Sequence, residues 1–292
     1  MPSLLDTLRT QTTLDVDSMD PEVAAKYEHT FTDMTSNQAI VYSEAIRPER
    51  ANALKAACEQ AKATGLDIDH QLSDALDLLT VLLAKDVFPH ISGRVHAQTS
   101  PAHAYNTEHT IAHAKRLVTL FEAHGIPKSR VSIKIPATPE SIVACHYLEK
   151  IGIRTLATCL FGLPQALAAS QAGCLYVAPY FNGKARLPSA LTLNDSHRVQ
   201  NLPFISSLAS GKPIQILQMS ILCLTAKEVC ASPRMQDMQT HRASSQVIAL
   251  VSLRPDHITL SGAVLEQLAS ESVESDQKTE IIDTGNADDI GE

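Results

Sequence analysis

The chain is predicted to be an α/β protein, a single (β/α)8 TIM barrel, on three observations. Short apolar runs rich in Val, Ile and Leu alternate with longer helical patterns from near the start to near the end. Eight such runs fall in roughly 260 residues, which is the count such a barrel needs. The third is composition: of 292 residues 44% are hydrophobic, yet there is no Trp and few other aromatics, which suits helix and parallel-strand layers better than a sandwich. A doubly wound open sheet is the competing architecture, but no GxGxxG follows the first strand.

The strands in order are expected at Thr13 to Asp17, Thr30 to Met34, Ile91 to Ala97, Arg130 to Ile135, Arg154 to Leu160, Leu175 to Pro179, Pro213 to Met219 and His257 to Leu260. Between them the period of 3.6 predicts helices over Arg50 to Ala63, Asp74 to Lys85, Thr107 to His124, Ser141 to Lys150 and Pro164 to Ala172. Gly65, Gly125, Gly152 and Gly173 stand where helices should close, as C-terminal caps. The barrel is expected over residues 1–268. Within it residues 230–247 read as an insertion or extended loop, and 269–292 as an acidic, disordered tail.

Charge and cysteines narrow the partners. The net charge of −8 argues against nucleic acid or an anionic membrane, and much of the excess lies between Glu271 and Glu292. No apolar run is long enough for a membrane span, and the N-terminal residues lack the layout of a signal peptide. The six cysteines form no CxxC pair and read as reduced core thiols, so a cytoplasmic protein is expected. The histidines show no HExxH and no acidic partner set, and neither a metal nor another cofactor is expected.

One stretch carries chemistry, VSIKIPAT from Val131 to Thr138. Alternation puts Lys134 on the face opposite Val131, Ile133 and Ile135. A lysine within a strand covered on both faces is costly unless neutral, and a neutral amine is a nucleophile that forms Schiff bases. In a barrel the strand ends share one mouth. Asp17 closes the first strand, Thr35, Ser36 and Asn37 follow the second, and Arg94, His96 and Gln98 run along the third. Lys134, Thr158 and Tyr180 belong to the fourth, fifth and sixth. A lysine, a carboxylate and several hydroxyl or amide groups thus converge on one cavity.

These residues resemble the transaldolase family of class I aldolases. The resemblance runs through LRTQTTLDVD, DMTSNQ, YNTEHTIAHAKRLVTLFEAHGI, SRVSIKIPATPESIVACHYLEKIGI, ATCLFGLPQALAASQAGC and VAPY, and returns in DHITLSGAVLEQL. It implies the same barrel and a lysine that forms a Schiff base with the ketone of a sugar phosphate, so that a carbon–carbon bond is split and a dihydroxyacetone unit passed on. By the resemblance Lys134 is that lysine, Asp17 the aspartate that takes a hydroxyl proton, Asn37 a substrate-binding amide with Ser36 beside it, and Thr158 the threonine that helps hold the catalytic water.

The departures point away from the standard substrate. Where the family has a glutamate on the third strand, the chain is read as having Arg94, which does not exchange a proton. Arg94 is then expected either to lower the lysine pKa or to pair with Asp17. His96, two residues on, is expected to replace the glutamate as proton shuttle, with Gln98 holding water. Leu156 and Ala178 replace a polar pair, the phosphate arginines fall at Gly183 and at Leu222 or Gln246, and Tyr180 resembles the proton donor of the fructose 6-phosphate aldolase branch. The expected function is a lysine Schiff-base aldolase or transaldolase-like enzyme for a ketone-bearing, non-phosphorylated small molecule, set in a specialised biosynthetic pathway and possible as a homodimer. Two alternatives stay open: an ordinary pentose-phosphate transaldolase, and a catalytically silent binding relative.

Overall fold

The computed structural model describes residues 2–27, 30–179, 217–220, 244, 247–248, 250–251 and 255–272. Its strands are β1 (Thr13–Val16), β2 (Phe31–Met34), β3 (Val95–Gln98), β4 (Val131–Pro136), β5 (Arg154–Leu160), β6 (Tyr176–Pro179), β7 (Leu217–Ser220) and β8 (His257–Leu260). All pair in parallel, in the order β6-β5-β4-β3-β2-β1-β8-β7, and β6 also lies beside β7, so the sheet curls into a barrel. Every residue of β4 is buried, as a strand must be when side chains fill the barrel on one face and helices cover the other.

The helices are α1 (Leu4–Leu8), α2 (Pro21–Lys26), α3 (Gln38–Ala45), α4 (Ala51–Ala63), α5 (Ile68–Val87), α6 (Thr107–Ala123), α7 (Pro139–Lys150) and α8 (Leu163–Ala172), with a last described helix at Gly262–Ser270. Their starts and stops follow from side chains. The carboxamide oxygens of Asn37 and Asn106 accept N–H groups at the first turns of α3 and α6, and Thr138 does the same for α7, whose first residue is Pro139. Gly65, Gly125, Gly152 and Gly173 have φ of 67°, 87°, 75° and 85°, a region in which a Cβ is strained. The predicted Asp74 start of the fifth helix comes too late: Asp67 caps it, and α5 adds a first turn and a half whose apolar residues, Ile68 and Leu72, are exposed rather than part of the core stripe.

Two boundaries extend the predicted organisation. The last helix runs to Ser270, Leu4 N donates to Glu271 O, and Ser3 bridges Ser272, so ordered structure passes residue 268 and ties both ends of the described chain together. Ser244 and Val247, at the end of the stretch read as an insertion, are helical and buried, and Gln267 Nε2 donates to Ser244 Oγ at 2.5 Å. The rest of 230–247 and of the tail lies outside the described residues. Among the described residues no helix is long and apolar enough to cross a membrane.

Candidate active site

Lys134 occupies the middle of β4 with 2% of its surface exposed. Because alternate residues of a strand share a face, Ser132 and Lys134 both point to the barrel axis, while Ile133 and Ile135 pack outward under the helices. The Lys134 Nζ donates to Thr35 Oγ1 at 3.3 Å, from the residue that follows β2. Burial pushes the lysine pKa down, and the negative fields of Asp17 and Cys159 oppose this only in part. Asp17 follows β1, partly accessible at the mouth. Burial pushes its carboxyl up and the Lys134 charge pulls it back. A dry amine thus faces a carboxyl whose proton affinity is raised, a pairing suited to imine formation and proton transfer.

Strand register decides which residue of β3 stands level with the lysine. Gln98 pairs with Lys134, and His96 with Ser132. Arg94 lies four residues below Gln98, about 13 Å along the strand, in the chain just before β3. Its Nη1 donates to Tyr176 Oη at 3.0 Å and its backbone N–H to Asp33 Oδ1 at 2.6 Å. The register thus sets Gln98, and not Arg94, opposite the lysine. Arg94 neither pairs with Asp17 nor is among the groups that shift Lys134, because the lysine's level on the third strand belongs to Gln98.

The other predicted residues are dispersed. Ser36 is buried and donates to His96 O at 2.6 Å, which ties the end of β2 to β3. The Asn37 oxygen accepts from Ala39 N and Ile40 N at 2.9 and 3.0 Å, so that side of the amide is committed to capping α3. Thr158 is fully buried on β5 and pairs with Pro136, two residues beyond Lys134. His96 sits one layer below the lysine, its Nε2 2.8 Å from Asp33 Oδ2. Tyr180, Gly183, Leu222 and Gln246 lie outside the described residues.

Thr35, expected at the mouth after the second strand, is the amine's hydrogen-bond partner. Residues not singled out by sequence also reach the site. Cys159, assigned to the core, has φ of 53° in a bulge of β5 between Ala157 and Leu160, and its thiol acts on Lys134. Asp15, Asp33, Tyr176 and His257 form a polar layer beneath. Parity was the available signal: Asp15, Asp33 and Ser132 each precede an inward-facing residue of the site by two positions.

The histidines near α6 have structural roles. His113 is buried, with Nε2 3.0 Å from Asp77 Oδ1, while its Nδ1 accepts Ser100 N–H at 3.0 Å, pinning the chain just after β3. His103 packs edge-on against His109 and His113, and no group of three side chains that could hold a metal occurs among the described residues.

A family model described as Transaldolase/Fructose-6-phosphate aldolase matches residues 13–290 of the chain. Among curated proteins, one named transaldolase from Alteromonas mediterranea is 37% identical over 180 residues, which are 62% of this chain and 56% of that protein. Transaldolases from Aliivibrio salmonicida and Haemophilus influenzae are 35% and 34% identical with the same coverage. The chain thus spans just over half the length of these relatives.

Proposed function

The chain belongs to the transaldolase/fructose-6-phosphate aldolase family, and we propose that it makes or breaks a carbon–carbon bond through a Schiff base on Lys134. The observation that carries this reading is the buried Lys134 amine, held toward its neutral form opposite the Asp17 carboxyl. The lone pair of Nζ adds to a ketone carbon. The carbonyl oxygen then leaves as water, at the cost of one proton, and an iminium remains. Asp17 takes the proton of the hydroxyl on the carbon beyond the bond to be broken. The electron pair of that bond flows into the iminium, releasing an aldehyde and leaving an enamine. The iminium's charge favours the ionised form of Asp17, so formation of the imine prepares its own base.

Around this pair, Thr35 orients the amine and Thr158 and Gln98 hold water or a substrate hydroxyl. Gln98 has nearly the shape of a glutamate but exchanges no proton at its amide. Asn37 retains only its amide N–H groups for a ligand, and Ser36 acts by joining β2 to β3 rather than by binding. Tyr180 is assigned the protonation of the enamine when cleavage occurs without transfer.

The substrate is a small polyhydroxylated ketone without the usual terminal phosphate, as a specialised biosynthetic enzyme would take. Support comes from Gly183, and from Leu222 or Gln246, standing where the resemblance calls for arginines that grip phosphate bidentately. An ordinary pentose-phosphate transaldolase is the second reading, favoured by the names of the relatives. Borohydride reduction in the presence of dihydroxyacetone, fructose or fructose 6-phosphate, followed by peptide mass mapping, tests both. An adduct on Lys134 is expected with the unphosphorylated ketones and none with Lys134→Ala. Preference for the phosphorylated sugar would establish the second reading, and no adduct with any ketone would leave a silent relative.

A further inference from the structure

One layer below Lys134 the barrel is filled with polar side chains rather than aliphatic ones. Asp15 Oδ2 lies 2.9 Å from His257 Nδ1, and Asp15 Oδ1 accepts Asp33 N–H at 2.8 Å. Asp33 Oδ1 accepts the Arg94 N–H, and Asp33 Oδ2 lies 2.8 Å from His96 Nε2. The Tyr176 ring stacks on the His96 ring at 5.3 Å and 21°, and its hydroxyl is held by Arg94. Asp15, Asp33 and His96 are each at most 1% exposed. Burial pushes the Asp33 carboxyl up, but the His96 bond and charge and the Arg94 N–H outweigh it and hold it at about 2.

That arrangement settles which histidine nitrogen is open. An ionised Asp33 only accepts, so Nε2 carries a proton and donates it, and Nδ1 is the atom that gains or loses one. His96 Nδ1 and Ser132 Oγ are both buried without a hydrogen-bond partner among the described residues. His96 and Ser132 are register neighbours on β3 and β4, about 5 Å apart between Cα atoms, and Ser132 stands two residues below Lys134 on the same face. Two adjacent buried polar atoms with unmet hydrogen bonds mark a site for a bridging water.

We propose that the Asp33–His96 pair relays the proton for the imine step at Lys134, through a water held between His96 Nδ1 and Ser132 Oγ. The inference rests on the Schiff-base reading above. Dehydration of the carbinolamine consumes one proton. His96 Nδ1–H gives it to the bound water, which passes one of its own to the leaving hydroxyl. The hydroxyl departs as water, the nitrogen lone pair forms the C=N bond, and His96 is left as neutral imidazole on Asp33. Hydrolysis of the product iminium runs the same transfers backwards. The need for such a relay is stated by Gln98, because the residue level with the lysine on β3 does not exchange a proton and Asp17 is engaged at the carbon–carbon bond. The groups facing His96 are Asp33 from β2, Tyr176 from β6, Ser132 from β4 and Arg94 beside it, with Asp15 and His257 one bond further on.

The test is the rate of adduct formation with dihydroxyacetone, quenched by borohydride at timed intervals across pH, for the wild type, His96→Gln, Asp33→Asn and Ser132→Ala. General acid catalysis contributes about 10²-fold or more. His96→Gln is expected to slow trapping by about that factor and to alter its pH profile, with the adduct still on Lys134. Asp33→Asn is expected to slow trapping as well, because the carboxylate that accepts the Nε2–H and fixes the ring is gone. Ser132→Ala, the smallest change, is expected to slow trapping about tenfold with an unaltered thermal melt, which covers the case in which His96→Gln fails to fold. Wild-type rates and an unchanged pH profile in His96→Gln or Ser132→Ala would overturn the relay and leave the Schiff base intact. Failure of the wild type to form any adduct would overturn both.

Discussion

Replacing Lys134 with methionine separates two meanings of a buried lysine. Met keeps the length and most of the apolar stem but deletes the amine. If the amine is held neutral for catalysis, its burial is a standing cost of about 1–3 kcal/mol, set against a single 3.3 Å hydrogen bond to Thr35 worth about 0.5–1.5 kcal/mol. Lys134→Met is then expected to abolish borohydride trapping while stabilising the protein by about 1 kcal/mol. For a domain of this size that raises Tm by about 2–4 °C in a thermal melt followed by circular dichroism. If instead Lys134 and Asp17 form a structural ion pair, deleting one partner leaves a carboxylate uncompensated and costs about 3–5 kcal/mol. A melt lowered by several degrees would therefore refute the neutral-nucleophile argument even if activity were lost.

Two further outcomes follow from the layer beneath. A Cβ on Gly93 would meet Asp33 Oδ1 at 2.0 Å and Thr32 O at 2.7 Å, so Gly93→Ala is expected to cost about 3 kcal/mol in urea denaturation; a loss under about 0.5 kcal/mol would mean that the carboxylate has room to move. The Asp33 pKa of about 2 lies below its ordinary 3.8, so its contribution is fully present above the unfolded value and lost as pH falls through the folded one. That contribution is about 2 kcal/mol at pH 6, of which about 1 kcal/mol is gone at pH 3. Asp33→Asn should show a correspondingly flatter acid limb in urea midpoints, and parallel limbs would contradict the assignment.

Much of the architecture was legible because its signals are local. The strands at Arg154 to Leu160 and His257 to Leu260 coincide with β5 and β8 as read, and the four capping glycines take the left-handed backbone that their positions imply. The start of α5 was missed because its first residues, Ile68 and Leu72 included, face solvent and its cap, Asp67, precedes the buried stripe. The bulge at Cys159 was also missed: a single extra residue in β5 leaves no mark in hydrophobic spacing, yet it brings a thiol to bear on Lys134.

At the site, alternation along a strand was enough to put Arg94, His96 and Gln98 on one face and to set Lys134 apart from Ile133 and Ile135. The period of two is a property of each backbone by itself. Height along the barrel axis is not. Which of those three β3 residues stands level with Lys134 depends on how far one strand slides past the next, and that offset is set by closing eight strands into a ring with one shared core. The sequence alone thus determined the barrel, the lysine and the faces. Only the tertiary structure put Gln98 in register with Lys134 and Arg94 beneath it, because inter-strand register is a non-local quantity that no single segment encodes.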